Sequence, residues 1–214
     1  MLRTFRSSAR AGFTLIELLA VILIIGILAT FLVPKIPEAL DAAKVTACKA
    51  NMQEIHKGFL MYKAKFDRAP RGTGVKFFAE LVSSGTWDND KSSAKRLTCP
   101  NVDVGFLTGI SEKPEEEWFK DPALVDGTCS SYAGRDCDHY PFKTFLPPGG
   151  EAMVADDNQG DTPNHRTTTV VLYGRGVDTI EKADMVKAGL ITEDEFLQVG
   201  PNSPHKDLQK LSLD

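Results

Sequence analysis

The chain has 214 residues, of which 25% are charged, and a formal net charge of −4. That length suits one membrane helix plus one globular domain. The mild acidity opposes a basic face for nucleic acid, so no nucleic-acid partner is expected.

Residues 1–12 hold Arg3, Arg6 and Arg10 and no acid. They read as a targeting leader rather than as fold. Without these three of the 25 basic residues, 22 remain against 29 acidic ones, a net charge of −7. Basic residues flanking the first apolar segment stay on the cytoplasmic side. The globular part is therefore expected outside the cytoplasmic membrane, in the periplasm or at the cell exterior.

Phe13–Val33 is an apolar run of 21 residues with one ionisable side chain, Glu17. As a helix it would extend about 30 Å, enough for a bilayer core. A carboxylate there is costly, about 3 kcal/mol for an Asp at a helix centre, and such residues are read as functional. Gly26 and Thr30 are small residues four apart, a spacing that lets helices approach closely. Pro34 and Pro37 predict a kink or melted turn near residues 30–37, because proline removes a helical bond and clashes one turn back.

Beyond the prolines, Val45, Cys48, Met52, Ile55, Phe59, Tyr62 and Phe66 recur at intervals of three and four. That is the apolar stripe of an amphipathic helix, expected to pack on a sheet. Residues 67–74 carry the proline and glycines that stop it. Val75–Ser84 predicts a short helix with Phe77, Phe78, Leu81 and Val82 inward. Residues 101–150 read as irregular, with one helical turn at Pro114–Phe119 and a short strand at Ser130–Arg135. Glu151–Asp156 and Thr167–Tyr173 are the best strands, the second rich in β-branched residues. They read as an antiparallel pair extended by Val177–Ile180. Glu181–Ala188 predicts a helix stopped by Gly189, and Thr192–Glu195 a capping box opening another. Residues 201–214 read as a polar tail. The fold class is α+β: a long N-terminal helix packed on a small antiparallel sheet. Its parts are the leader (1–12), a membrane or filament-core helix (13–34), an amphipathic upper half (35–66), the head (67–200) and the tail.

Gly12-Phe13-Thr14-Leu15-Ile16-Glu17, after a basic leader, resembles the processing motif of type IV prepilins and type II secretion pseudopilins. The resemblance covers about the first fifty residues. It implies that a prepilin peptidase cuts after Gly12, that the new N-terminal Phe13 is methylated, and that Glu17 guides assembly. Pro34 stands where pilins carry a proline. A second resemblance, to planctomycete-type pilin-like proteins, rests on a pattern of His, nine residues, then Asp-Gly. Here His165 is followed by Arg175-Gly176, so the Asp is replaced, and Leu97-Thr98-Cys99-Pro100 resembles that family's Cys-Pro turn.

Cys48, Cys99, Cys129 and Cys137 lie in a part expected outside the cytoplasm, where disulfides persist. Four cysteines allow three pairings, among which sequence does not choose. Cys129–Cys137, closing a small loop, with Cys48–Cys99 tying helix to loop, is the expected arrangement. Asp156, Asp157 and Asp161 share a loop with Asn158 and Asn164 and are calcium candidates by ligand type. The spacing is not an EF-hand, and a solvated turn is the simpler expectation. Cys137, His139 and His165 lack paired Cys-x-x-Cys spacing, so no zinc and no other cofactor is expected. No Gly-x-Ser-x-Gly, phosphate loop or His-Glu-x-x-His is present, so no enzyme is expected. The reading is a structural pilin-like subunit partnered by related subunits, the membrane and the peptidase. Its rival is a membrane-anchored extracytoplasmic protein that binds a ligand through residues 100–165.

Overall fold

The computed structural model describes residues 13–158 and 164–214. They fall into two compact units, divided between Leu40 and Asp41.

In the first unit, α1 runs over Leu15–Leu32 and buries none of its residues. A 3-10 turn at Val33–Lys35 separates it from α2, Ile36–Phe66. The break falls at Pro34, inside the interval where the prolines predicted one. One turn earlier, the Thr30 hydroxyl donates to the Gly26 carbonyl at 2.9 Å. Such back-bonding also bends helices. Pro37 falls in the first turn of α2, where a missing N–H costs nothing.

The second unit is built on a five-stranded antiparallel sheet of order β4-β3-β2-β1-β5. The strands are β1 (Tyr132–Arg135), β2 (Ala152–Asp156), β3 (Thr168–Tyr173), β4 (Gly176–Glu181) and β5 (Leu211–Ser212). Both faces of its centre are covered. One face sends Tyr132, Val154, Val170 and Leu172 against Cys48, Met52, Ile55, Phe59 and Tyr62 of α2 and against α3, Val75–Ser83. The stripe from Cys48 to Tyr62 and the inward residues of α3 are therefore buried as their spacing predicts; Val45, at its start, is half-buried and Phe66, at its end, is exposed. The other face sends Ala133, Ala152, Val171 and Tyr173 against Leu197, Val199, Leu208 and Leu211. A register shift in β2 between Ala152 and Val154 lets the neighbours Met153 and Val154 share one core.

That second layer changes two expectations. Residues 201–214 are not a polar tail apart from the head, because Leu208 and Leu211 are buried and β5 completes the sheet. Thr192–Glu195 opens no helix, although the Thr192 N–H donates to Glu195 Oε2 at 2.7 Å. Leu197 and Val199, two apart, both turn to the sheet, which holds this stretch extended. Elsewhere Lys182–Lys187 is the expected short helix, and the acidic turn is a 3-10 turn at Glu115–Glu117 with Pro114 as its cap.

Two close approaches require glycine. A Cβ on Gly134 of β1 would collide with the Gly74 carbonyl, where the start of α3 crosses the strand. A Cβ on Gly58 of α2 would meet the Trp87 ring at 2.7 Å and Leu81 Cδ1 at 2.8 Å. Gly58→Ala gains roughly 1 kcal/mol in helix propensity. Overpacking costs about 1–3 kcal/mol. A net loss of about 1 kcal/mol is expected, read as a lower urea midpoint for the full chain; a higher midpoint would show that Trp87 yields freely.

Candidate functional site

Two places carry chemistry. The first is the foot of α1. Thr14 is its N-cap, and Glu17 is the third helical residue. The Glu17 carboxylate accepts from the Thr14 N–H at 2.9 Å and from the Thr14 hydroxyl at 2.8 Å. The hydroxyl in turn accepts from the Glu17 N–H at 3.3 Å. This is a reciprocal capping box, which satisfies two otherwise orphaned donors. The charge that looked bare in the sequence has a partner three residues away. The box was legible as Thr-x-x-Glu before an apolar run. Phe13 beside it is 82% exposed. Gly12 lies outside the described residues.

The second place is in the core of the second unit. Cys48 comes from the stripe of α2, Cys99 from the turn after the short helix α4 (Lys91–Arg96), Asp156 from the end of β2 and His165 from just before β3. All four are buried, none more than 2% exposed. Their ligand atoms lie within 4.8 Å of one another. Cys48 Sγ is 3.4 Å from Cys99 Sγ and 2.9 Å from Asp156 Oδ1. His165 Nε2 is 3.4 Å from Asp156 Oδ2 and 3.9 Å from Cys99 Sγ.

A further layer of groups holds this cluster. The Tyr132 hydroxyl is 3.1 Å from Cys48 Sγ. The Val170 N–H donates to Asp156 Oδ2 at 3.0 Å, and Asn164 Nδ2 donates to Oδ1 at 3.3 Å. The Cys99 N–H donates to Ser131 Oγ at 3.1 Å. Asn101 bonds the Asn164 carbonyl. His165 Nδ1 has no partner among the described residues.

Electrostatically the group is coupled. Burial pushes the Cys48 thiol well up, aided by Cys99 and the Asp156 charge. Cys99 goes the other way, to about 7, because the Cys48 thiol and then His165 stabilise its thiolate against burial. Burial raises Asp156 even against the pull of His165. Burial opposes the charged form of His165, but Cys99 and Asp156 outweigh it and the imidazole is raised.

The structure thus joins residues that the sequence placed under three separate headings. Cys48 and Cys99 do meet, but all four cysteines are free thiols. The expected Cys129–Cys137 bridge is not formed either: Cys129 Sγ points to the Leu124 carbonyl and to Asp126, at 3.6 and 3.7 Å. Asp156 faces sulfur and nitrogen rather than the oxygen ligands of a calcium loop. Asp157 donates its N–H to the Ser131 carbonyl at 2.9 Å, and Asp161 lies outside the described residues. Arg175, standing where the His-x9-Asp-Gly pattern has its acid, lies over the Tyr173 ring and pairs with Asp178 at 3.4 Å. Sequence reasoning passed over Arg135, which is 1% exposed and ion-paired with Glu151 at 3.1 Å.

Comparison with known proteins bears on the first place. Residues 7–33 match the family described as the prokaryotic N-terminal methylation motif. The type II secretion system core protein G of Pseudomonas aeruginosa is 44% identical over 54 residues. That stretch is 25% of this chain and 38% of the relative, so the similarity leaves most of each protein aside. No solved structure matches the chain.

Proposed function

We propose that this chain is a structural pilin-like subunit, delivered to the cytoplasmic membrane by its basic leader and held there by α1. A prepilin peptidase cleaves between Gly12 and Phe13, and the subunit then joins related copies in a type IV pilus or type II secretion pseudopilus. The observation that carries this reading is α1 itself. It is an apolar helix long enough to cross a membrane, with no buried residue and one carboxylate in its first turn. The methylation motif over the same residues supports it.

Within a filament, Glu17 pairs with the new Phe13 amine of a neighbour. A paired buried charge is tolerable and an unpaired one is costly, so a subunit out of register is penalised. The capping box holds the carboxylate until that neighbour arrives. Methylation leaves the amine basic and able to pair.

Mass spectrometry of the mature N-terminus tests the processing step, with methylated Phe13 as the expected first residue. A start at Met1, or beyond residue 30, overturns the reading. Glu17→Ala is expected to insert and be cleaved, with filaments reduced at least tenfold by electron microscopy or shearing. Glu17→Gln keeps an acceptor for the Thr14 cap without the charge, and is expected to fail equally. Wild-type filament yield from either variant would remove the charge pair from the mechanism.

A further inference from the structure

We propose that Cys48, Cys99, Asp156 and His165 form a closed, four-coordinate site for one zinc ion that staples α2 to the sheet. The inference is independent of how the N-terminus is processed. It rests on convergence: one sulfur from a helix, one from a turn, a carboxylate from a strand end and an imidazole from the next strand's approach meet in one buried volume.

Zinc takes thiolate at about 2.3 Å and imidazole or carboxylate at about 2.0–2.2 Å in a tetrahedron. Ligand atoms on such a tetrahedron are separated by about 3.3–3.8 Å. The Sγ–Sγ and Nε2–Oδ2 separations, both 3.4 Å, fall at that spacing; the Nε2–Sγ separation of 3.9 Å lies just above it and the Cys48 Sγ–Asp156 Oδ1 separation of 2.9 Å below it, so an ion would draw the first pair together and spread the second. Two sulfurs and an imidazole select zinc over calcium or magnesium, which take oxygen. Four protein ligands leave no open position, which marks a structural rather than a catalytic ion.

The surrounding groups fit that ion. Two thiolates and one carboxylate bring three negative charges, and zinc offsets two. The Tyr132 hydroxyl, the Asn164 amide and the Val170 N–H are placed to donate into the remaining charge, and groups of this kind orient metal ligands. The reaction is an exchange of protons for metal. Zinc enters as the dication, the Cys48 and Cys99 thiols each release a proton, the Asp156 carboxylate and the neutral His165 imidazole donate lone pairs, and no electron is transferred.

The test uses the full chain, purified from membranes in detergent without chelator. Elemental analysis is expected to find one zinc per chain. Cobalt(II) loaded in its place is expected to give the intense visible bands of a tetrahedral ion and a thiolate-to-cobalt charge-transfer band. Cys99→Ser and His165→Gln are each expected to lose the bound zinc, and Cys137→Ser to retain it. If the ligand variants fail to fold, the cobalt spectrum of the wild-type chain decides. Three outcomes overturn the proposal: a Cys48–Cys99 disulfide in peptide maps of the membrane-derived protein, four free thiols with no metal after zinc addition, or zinc retained undiminished by both ligand variants.

Discussion

Arg135→Ala is expected to destabilise the second unit by about 3–5 kcal/mol, the cost of breaking a buried ion pair from one side. The side chain spends all three guanidinium nitrogens. Nε donates to the Tyr140 carbonyl at 2.7 Å, one terminal nitrogen to the Ala152 carbonyl at 3.0 Å and the other to Glu151 Oε1 at 3.1 Å. The guanidinium also lies 4.6 Å from the centre of the Phe142 ring. Alanine leaves two carbonyls without their donor and a cavity beneath the ring. Glu151 remains held, because its other oxygen accepts from the Lys143 N–H at 3.0 Å. Arg135→Lys keeps the charge but not the fork, so it should recover only part of the loss. For a domain of this size 1 kcal/mol moves the melting temperature roughly 2–4 °C, so Arg135→Ala should melt roughly 10 °C lower. Calorimetry of the full chain gives the answer, and a shift under 3 °C would mean that the buried pair is replaceable by water.

The second large effect follows from the zinc site. A ligand that binds only the folded state stabilises it by about 4 kcal/mol when free ligand is a thousandfold above its dissociation constant. Stripping zinc with a chelator should therefore lower the urea midpoint strongly, and restoring free zinc should raise it again in proportion to the logarithm of its concentration. Trp87 and Trp118 are both buried, so their fluorescence reports the unfolding. A dependence on zinc concentration separates this effect from ordinary packing, and the Arg135 variant should show the same slope as the parent. A midpoint indifferent to zinc would mean that the four residues hold only protons.

How much of this was legible in the sequence depends on the range of each contact. The stripe from Cys48 to Tyr62 was readable because helical spacing is local, and its members are buried. β2 and β3 were readable from β-branched content and length. The outer layer was not, because Leu197, Val199, Leu208 and Leu211 are scattered apolar residues in a polar segment. Their partners lie on strands that precede them by many residues. The same range effect hid the cluster. Cys48, Cys99, Asp156 and His165 were each noticed, as disulfide partners, a calcium candidate and part of a pattern. Cys48 and Asp156, however, are 108 positions apart, and no local spacing announces that they touch. Thr14–Glu17 and Thr192–Glu195 make the converse point. The two motifs match in spacing, and each forms a bond between its members. Only the first is followed by a helical apolar run, so only the first opens a helix.

The placement of β5 ties the first elements of the head to its last residues. Leu211 and Ser212 pair with β1, the Val75 N–H at the start of α3 donates to the Leu213 carbonyl, and the Gly127 N–H donates to Asp214, 87 positions away. The first helix of the head and its first strand thus remain without these partners until residues 211–214 arrive. Closure over such separations is slow, because the loop entropy must be met before the contacts form. A chain cut short before Leu211 would therefore leave one edge of β1 and the first N–H of α3 without their partners.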